Sequence, residues 1–406
     1  MIAEPKAPAA THTADTAAAE RWDVIVVGGG PAGCTAAWHL AGAGHRVLLL
    51  ERNGYPRDKV CGDGLIADTL RALSDMQLSD SLRQLAHPVP AVQVYSPSRI
   101  HFKLPGDFFT IRRSRFDTFL ANAAVARGAA LLAAEAAAVQ DDSDGALVRL
   151  RGAEQPLRAR LVLLATGADL SLVSDRLPRS AHRPAAVAVR TYIRSSAEFP
   201  DMLVSFDRSI LPGYAWIFPM GDGEYNVGCG VFYQRRRQPE VNLRKMLDRF
   251  WNEFPPAKLL RAAGQAPGPL SGARLRCGLR GVAPRVSRCI VAAGEMLGTT
   301  FPFTGEGIGK AMASGAICAR QIAAALNGND AALDAIAPLL DRELRPQYRG
   351  YEVAERWLSR GWLADLLARR VTRSPRLHER VTGILNETVN PQAVFSLRGL
   401  VPSLLG

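Results

Sequence analysis

One short stretch near the N-terminus restricts the fold of this chain more than any other. Asp23, Val24, Ile25, Val26 and Val27 form a β-branched run of the kind a buried parallel strand requires. Gly28, Gly30 and Gly33 follow at GxGxxG spacing, and residues 34–43 form an alanine-rich helix. A second apolar run, residues 45–50, ends at Glu51, with Arg52 beside it, about 20 residues beyond the glycines. Strand, glycine loop, helix and acidic strand end thus come in the order of a dinucleotide-binding unit. Gly28 makes the tight turn, Gly30 lets the backbone of Gly30, Pro31 and Ala32 approach a pyrophosphate, and Gly33 lets helix and strand pack closely. The helix start faces the diphosphate, and Glu51 accepts from ribose hydroxyls.

A second glycine-capped helix start points to FAD rather than NAD. Residues 288–293 read as a strand running into Gly294 and Glu295, then come Gly305, Gly307 and Ile308 and an alanine-rich helix over 310–326. That start suits a second anionic patch, such as the ribityl and phosphate portion of FAD.

Three further stretches carry a resemblance. The first runs from Tyr55 through Arg57, Lys59, Cys61, Gly62, Asp63 and Gly64 to Leu65. The second holds Tyr214, Trp216, Phe218 and Pro219, followed by Gly228 and Gly230. The third is residues 294–309. Together they resemble the geranylgeranyl reductase family, FAD-dependent oxidoreductases with the para-hydroxybenzoate hydroxylase architecture. The resemblance implies an elongated hydrophobic channel for a polyprenyl chain at Tyr214, Trp216, Phe218, Pro219, Gly228 and Gly230. The alternative is a strand pair that buries Trp216 and Phe218 in a core. Cys61 and Gly62 are implied close to the flavin, where the thiol could donate a proton, although a lone Cys also serves as a small buried hydrophobe. Cys61, Tyr214 and Trp216 are the catalytic candidates. Arg113 stands where a family arginine contacts the cofactor near a helix start, with Arg112 and Arg115 beside it. The chain departs from the pattern twice. Gly294-Glu295 replaces a Gly-Asp pair, and Thr166-Gly167 stands where related hydroxylases carry Asp-Gly; all four count as cofactor-contact candidates.

The implied function is saturation of carbon-carbon double bonds in a long isoprenoid, of geranylgeranyl or polyprenyl-quinone type, with NADPH or a ferredoxin as electron donor. The rival is a flavin monooxygenase or halogenase of secondary metabolism. Lys59 invites the halogenase reading, but Phe218-Pro219 stands where the halogenase pattern expects Ile-Pro.

The expected fold is α/β: a Rossmann-like FAD-binding domain (21–85, 111–182 and 270–330) interleaved with an antiparallel-sheet substrate domain (86–110 and 183–269). A disordered tail (1–20) precedes them and a C-terminal helical region (331–406) follows. Net charge is +12, a field that attracts anions. Its basic residues are scattered, apart from Arg235-Arg236-Arg237, and no RNA-binding or zinc-finger signature accompanies them, so nucleic acid is not an expected partner. The expected partner is a hydrophobic small molecule with an anionic headgroup. Six cysteines without a CxxC pair indicate a reduced, cytoplasmic protein with no structural metal. No apolar run reaches the roughly 18 residues of a membrane span, so any membrane contact is peripheral; the C-terminal segments suit a membrane surface, a cap over the substrate channel or, more commonly, ordinary core packing.

Overall fold

The computed structural model describes residues 5–178, 183–233 and 240–395, so the Arg235-Arg236-Arg237 run lies outside the described residues. The strand Arg21–Val27 lies between Val47–Leu50 and Leu157–Leu164 and runs parallel to both. Val24, Ile25 and Val26 are wholly buried, as both faces of a central parallel strand must be. Ala130–Leu132 extends the sheet beyond Val47–Leu50. The far edge of Leu157–Leu164 is divided: Gly145–Leu150 pairs antiparallel with its first half and Ile290–Ala292 parallel with its second. The parallel strands therefore deliver Gly28, Glu51, Ala165 and Ala293 to one edge of the sheet. That edge is where open α/β sheets bind ligands.

The second sheet runs in the order Ser271–Leu275, Ala186–Arg194, Glu224–Phe232, Tyr214–Gly221, Met202–Ser205, His87–Tyr95, His101–Thr110, Gly64–Leu65. It is antiparallel except where Met202–Ser205 pairs parallel with His87–Tyr95. The helix Leu243–Glu253 covers one face, where Met246, Leu247, Phe250 and Trp251 meet Ala215, Ile217, Val227 and Cys229. Side chains alternate along a strand. Tyr214, Trp216 and Phe218 consequently stand on the opposite face.

Three expected boundaries move. Ser271–Leu275 pairs with Ala186–Arg194 and so belongs to the second sheet rather than to the cofactor domain beginning at residue 270. Gly64–Leu65 pairs with the end of His101–Thr110, so the first cofactor segment crosses between sheets before residue 85. The tail expected to be disordered contains the helix Ala14–Ala18, capped by Thr13. It is tied down by Thr11 N donating to Leu131 O at 2.9 Å and by Trp22 Nε1 donating to Ala17 O at 3.0 Å. The helices Ile336–Leu358, Gly361–Arg373 and Pro375–Leu385 make up most of the described part of the C-terminal region; residues 396–406 lie outside the described residues.

Candidate functional site

The glycine loop is pressed so tightly against its neighbours that side chains are excluded. A Cβ on Gly28, whose φ is +107°, would lie 2.4 Å from Ala165 O, and one on Gly33 would lie 1.9 Å from Gly28 O. Behind the loop, the helices Pro31–Gly42 and Ile308–Leu326 cross at Gly315, where a Cβ would come within 2.3 Å of Ala32 O. This contact brings both helix N-termini to one cavity of about 340 Å³. Gly28, Gly30, Pro31, Ala32, Glu51, Arg52, Cys61, Gly62, Arg113, Thr166, Gly167, Gly294, Glu295, Gly305, Gly307 and Ile308 all line it. Gly33 stands behind the wall. Two converging helix starts and a loop that a methyl group would block fit a dinucleotide diphosphate.

The charges around this cavity form one connected group. Glu51 accepts from Gly29 N at 3.1 Å and Asn53 N at 3.2 Å, and pairs with Arg57 Nε at 2.9 Å. Arg57 also reaches Asp117 at 2.8 Å, and Arg113 grips Asp117 with two hydrogen bonds of 2.7 Å. Burial pushes the Asp117 carboxyl up, but Arg113 and Arg57 outweigh it and hold the group below its ordinary value. Two of the three neighbouring arginines take different directions. Arg113 is buried in the cavity wall, whereas Arg112 turns away to Glu224 at 2.6 and 2.8 Å. Arg52 is half-exposed and pairs with Asp169 at 3.1 Å. Glu295, longer than the usual Asp, reaches Lys59 Nζ at 3.2 Å and Arg276 N at 3.3 Å. Tyr55, Arg57 and Asp117 have no role assigned from sequence; Arg57 and Tyr55 stand in the quoted Tyr55–Leu65 stretch, but only the fold brings Asp117 to them.

A second cavity, of about 270 Å³, shares Cys61, Gly62, Tyr214, Trp216, Gly305, Gly307 and Ile308 with the first. Its walls are apolar: Val92, Val94, Phe102, Leu104 and Met202 from the second sheet, and Leu358, Leu367 and Ile384 from the C-terminal helices. Phe218 lines it, and a Cβ on Gly62 would lie 3.3 Å from the Phe218 ring. The loop of residues 60–63 is anchored from the sheet side. Trp216 Nε1 donates to Asn226 Oδ1 at 2.9 Å, and Asn226 Nδ2 donates to Cys61 O at 2.9 Å and to Asp63 Oδ2 at 2.8 Å. Burial raises Asp63 to about 6, and burial with the nearby Asp63 charge drives the Cys61 thiol up. Cys61 is thus a thiol and not a thiolate at neutral pH. Burial likewise raises Tyr214, whose hydroxyl donates to Thr304 O at 3.2 Å.

Three residues expected in the substrate channel stand elsewhere. Gly228 and Gly230 are the cross-strand partners of Trp216 and Tyr214, and neither lines either of these two cavities. A Cβ on Gly228 would lie 2.3 Å from Trp216 Cζ2, so these glycines make room beneath the aromatic rings. Pro219 is also outside both linings; its carbonyl accepts from Thr110.

Residues 21–203 match the FAD binding domain model and residues 186–264 the geranylgeranyl reductase catalytic domain model. With the paired cavities, these matches make the chain an FAD-dependent oxidoreductase. It is 32% identical to menaquinone reductase of Mycobacterium tuberculosis, with 82% of each chain covered. It is 28% identical to digeranylgeranylglycerophospholipid reductase of Thermoplasma volcanium, covering 77% of this chain and 80% of that one. The chain belongs to the geranylgeranyl reductase family, whose members use FAD to reduce isoprenoid double bonds. Two solved structures share the fold. A geranylgeranyl bacteriochlorophyll reductase-like protein of Thermoplasma acidophilum superposes with a TM-score of 0.74 at 24% identity, covering 95% of this chain and 96% of that one. A flavin-dependent brominase superposes with a TM-score of 0.74 at 18% identity, covering 95% and 99%.

Proposed function

We propose that the protein saturates carbon-carbon double bonds in the prenyl tail of a polyprenyl quinone of the menaquinone kind. The observation that carries this reading is the shared wall: the apolar cavity meets the cofactor cavity at Cys61, Gly62, Tyr214 and Trp216. The Gly28–Gly33 loop would hold the FAD diphosphate, Glu51 its ribose, and Arg113, Thr166, Gly167, Gly294 and Glu295 the neighbouring groups. Bound FAD, reduced by NADPH or a ferredoxin, supplies the hydride. The chain's own residues align the alkene against Cys61, Gly62, Tyr214 and Trp216 and exclude water with Phe218, Leu104 and Met202. The likeness to menaquinone reductase favours a quinone over a prenylated phospholipid. Lys59 is engaged by Glu295, which supports the reductase reading over the halogenase one.

Among the described residues, no helix is long and apolar enough to cross a membrane. On Gly361–Arg373, Ala364, Leu367 and Ala368 face the apolar cavity, while Trp362, Leu366, Arg369 and Arg373 form an exposed stripe. Trp362 is 66% exposed and Leu366 42%. A helix that walls the channel inside and shows apolar and basic groups outside supports peripheral contact of a cytoplasmic protein with the inner membrane face. The arginines there would meet anionic headgroups. The test is product analysis. Reduced enzyme incubated with a menaquinone should give a product heavier by two hydrogens per bond; the same gain with only a prenylated phospholipid would move the substrate to that class, and no gain with either would reject the reading.

A further inference from the structure

We propose that Glu306 is the acid that protonates the substrate alkene, an inference that rests on the reductase function above. Glu306 stands between Gly305 and Gly307, which line both cavities, while Glu306 itself lines only the apolar one. Among the described residues its carboxyl accepts one hydrogen bond, from the Tyr351 hydroxyl at 3.5 Å. The competing groups on the same wall are less suited. Asp63 is fully buried, with Oδ2 taken by Tyr192 and Asn226. The Tyr214 hydroxyl is committed to Thr304 O, and the Cys61 thiol is a weaker acid than an ordinary cysteine.

The surroundings keep Glu306 protonated. Burial raises its pKa most, and the carboxylates of Asp68 and Glu387 raise it further; Lys310 and the Tyr351 hydrogen bond oppose them, and the result is about 8. Lys310 Nζ is already engaged by Glu387 at 2.6 Å and Asp68 at 3.5 Å, and Arg71 completes the pairing of Glu387. Two cations thus answer two carboxylates, and Glu306 is left as a neutral acid whose pKa is close to the working pH, where proton transfer is most effective. In the step, one alkene carbon takes a hydride from reduced FAD and its neighbour takes the Glu306 proton. The alkene becomes an alkane, the flavin is oxidised, and the Glu306 carboxylate regains its proton from solvent.

Glu306→Gln keeps shape and neutrality but cannot give a proton, so its fold and flavin content should match the parent protein. Two readouts decide the proposal. In the flavin-free protein, the infrared carbonyl band of a protonated carboxylic acid should be present at neutral pH, titrate near pH 8, and vanish in Glu306→Gln. In the loaded, dithionite-reduced protein, menaquinone-driven reoxidation should fall about 100-fold or more in the variant and lose its decline above pH 8. A band that still titrates near pH 8 after the substitution, or a variant with the parent rate and pH profile, overturns the proposal. If menaquinone fails to reoxidise even the parent flavin, the function fails, and the infrared band still decides whether Glu306 carries the proton.

Discussion

The Tyr192 hydroxyl donates to Asp63 Oδ2 at 2.6 Å, tying the loop between the two cavities to the strand Ala186–Arg194 of the second sheet. Asp63 sits at φ 65°, and burial is the larger influence, raising its carboxyl to about 6 against an ordinary 3.8. The folded protein therefore binds this proton more tightly than the unfolded chain. The resulting stabilisation is complete at pH values below the unfolded pKa and is lost as pH rises through about 6. The difference amounts to roughly 3 kcal/mol. Asp63→Asn, which tolerates the same backbone conformation, should flatten that part of the stability profile. Urea unfolding of the two flavin-free proteins at several pH values between about 4 and 7 compares them directly. Parallel profiles would contradict the assignment.

Arg113 and Asp117 form a buried pair. Arg113→Ala should cost about 1–3 kcal/mol, because Asp117 loses two charge-assisted hydrogen bonds but keeps Arg57 as its cation. A double change to leucine at Arg113 and Asp117 should recover much of that loss without restoring flavin retention. Denaturant midpoints and flavin absorbance of the purified variants separate the two effects.

Gly33→Ala tests the loop. The new methyl group would collide with Gly28 O, so the variant should lose bound FAD and about 1–3 kcal/mol of stability. Retention of stoichiometric FAD would contradict the close helix-strand contact.

Trp362→Glu with Leu366→Glu should weaken co-sedimentation with anionic vesicles at least tenfold. Binding of the parent protein should fall as salt is raised, since Arg369 and Arg373 flank the apolar residues. Equal vesicle binding by both proteins would remove this helix from the membrane contact.

The parts of the site that were legible in the sequence are those whose geometry is local. The Gly28–Gly33 loop and Glu51 are fixed by spacing along one strand-loop-helix unit, and the alternation Tyr214, Trp216, Phe218 needs one strand. What escaped depends on contacts distant in sequence. Asp63 meets Tyr192 and Asn226 across 129 and 163 residues, and nothing local marks it. Gly228 and Gly230 share a motif with the channel aromatics, but only the strand register shows that they lie opposite Trp216 and Tyr214. The strand Ser271–Leu275 carries few β-branched residues, and the N-terminal helix is rich in alanine and held by a threonine cap, a combination that reads as an unstructured tail. Arg113 and Arg112 are separated only by the fold, which buries one in the cavity wall and turns the other to Glu224.

Anaerobic reoxidation is the most direct measurement. The flavin is reduced with dithionite, and its visible spectrum is followed after adding menaquinone or, separately, oxygen. The proposed function predicts reoxidation by menaquinone with a hydrogenated product. No response to menaquinone, with rapid substrate-coupled reoxidation by oxygen, would contradict it and indicate a monooxygenase.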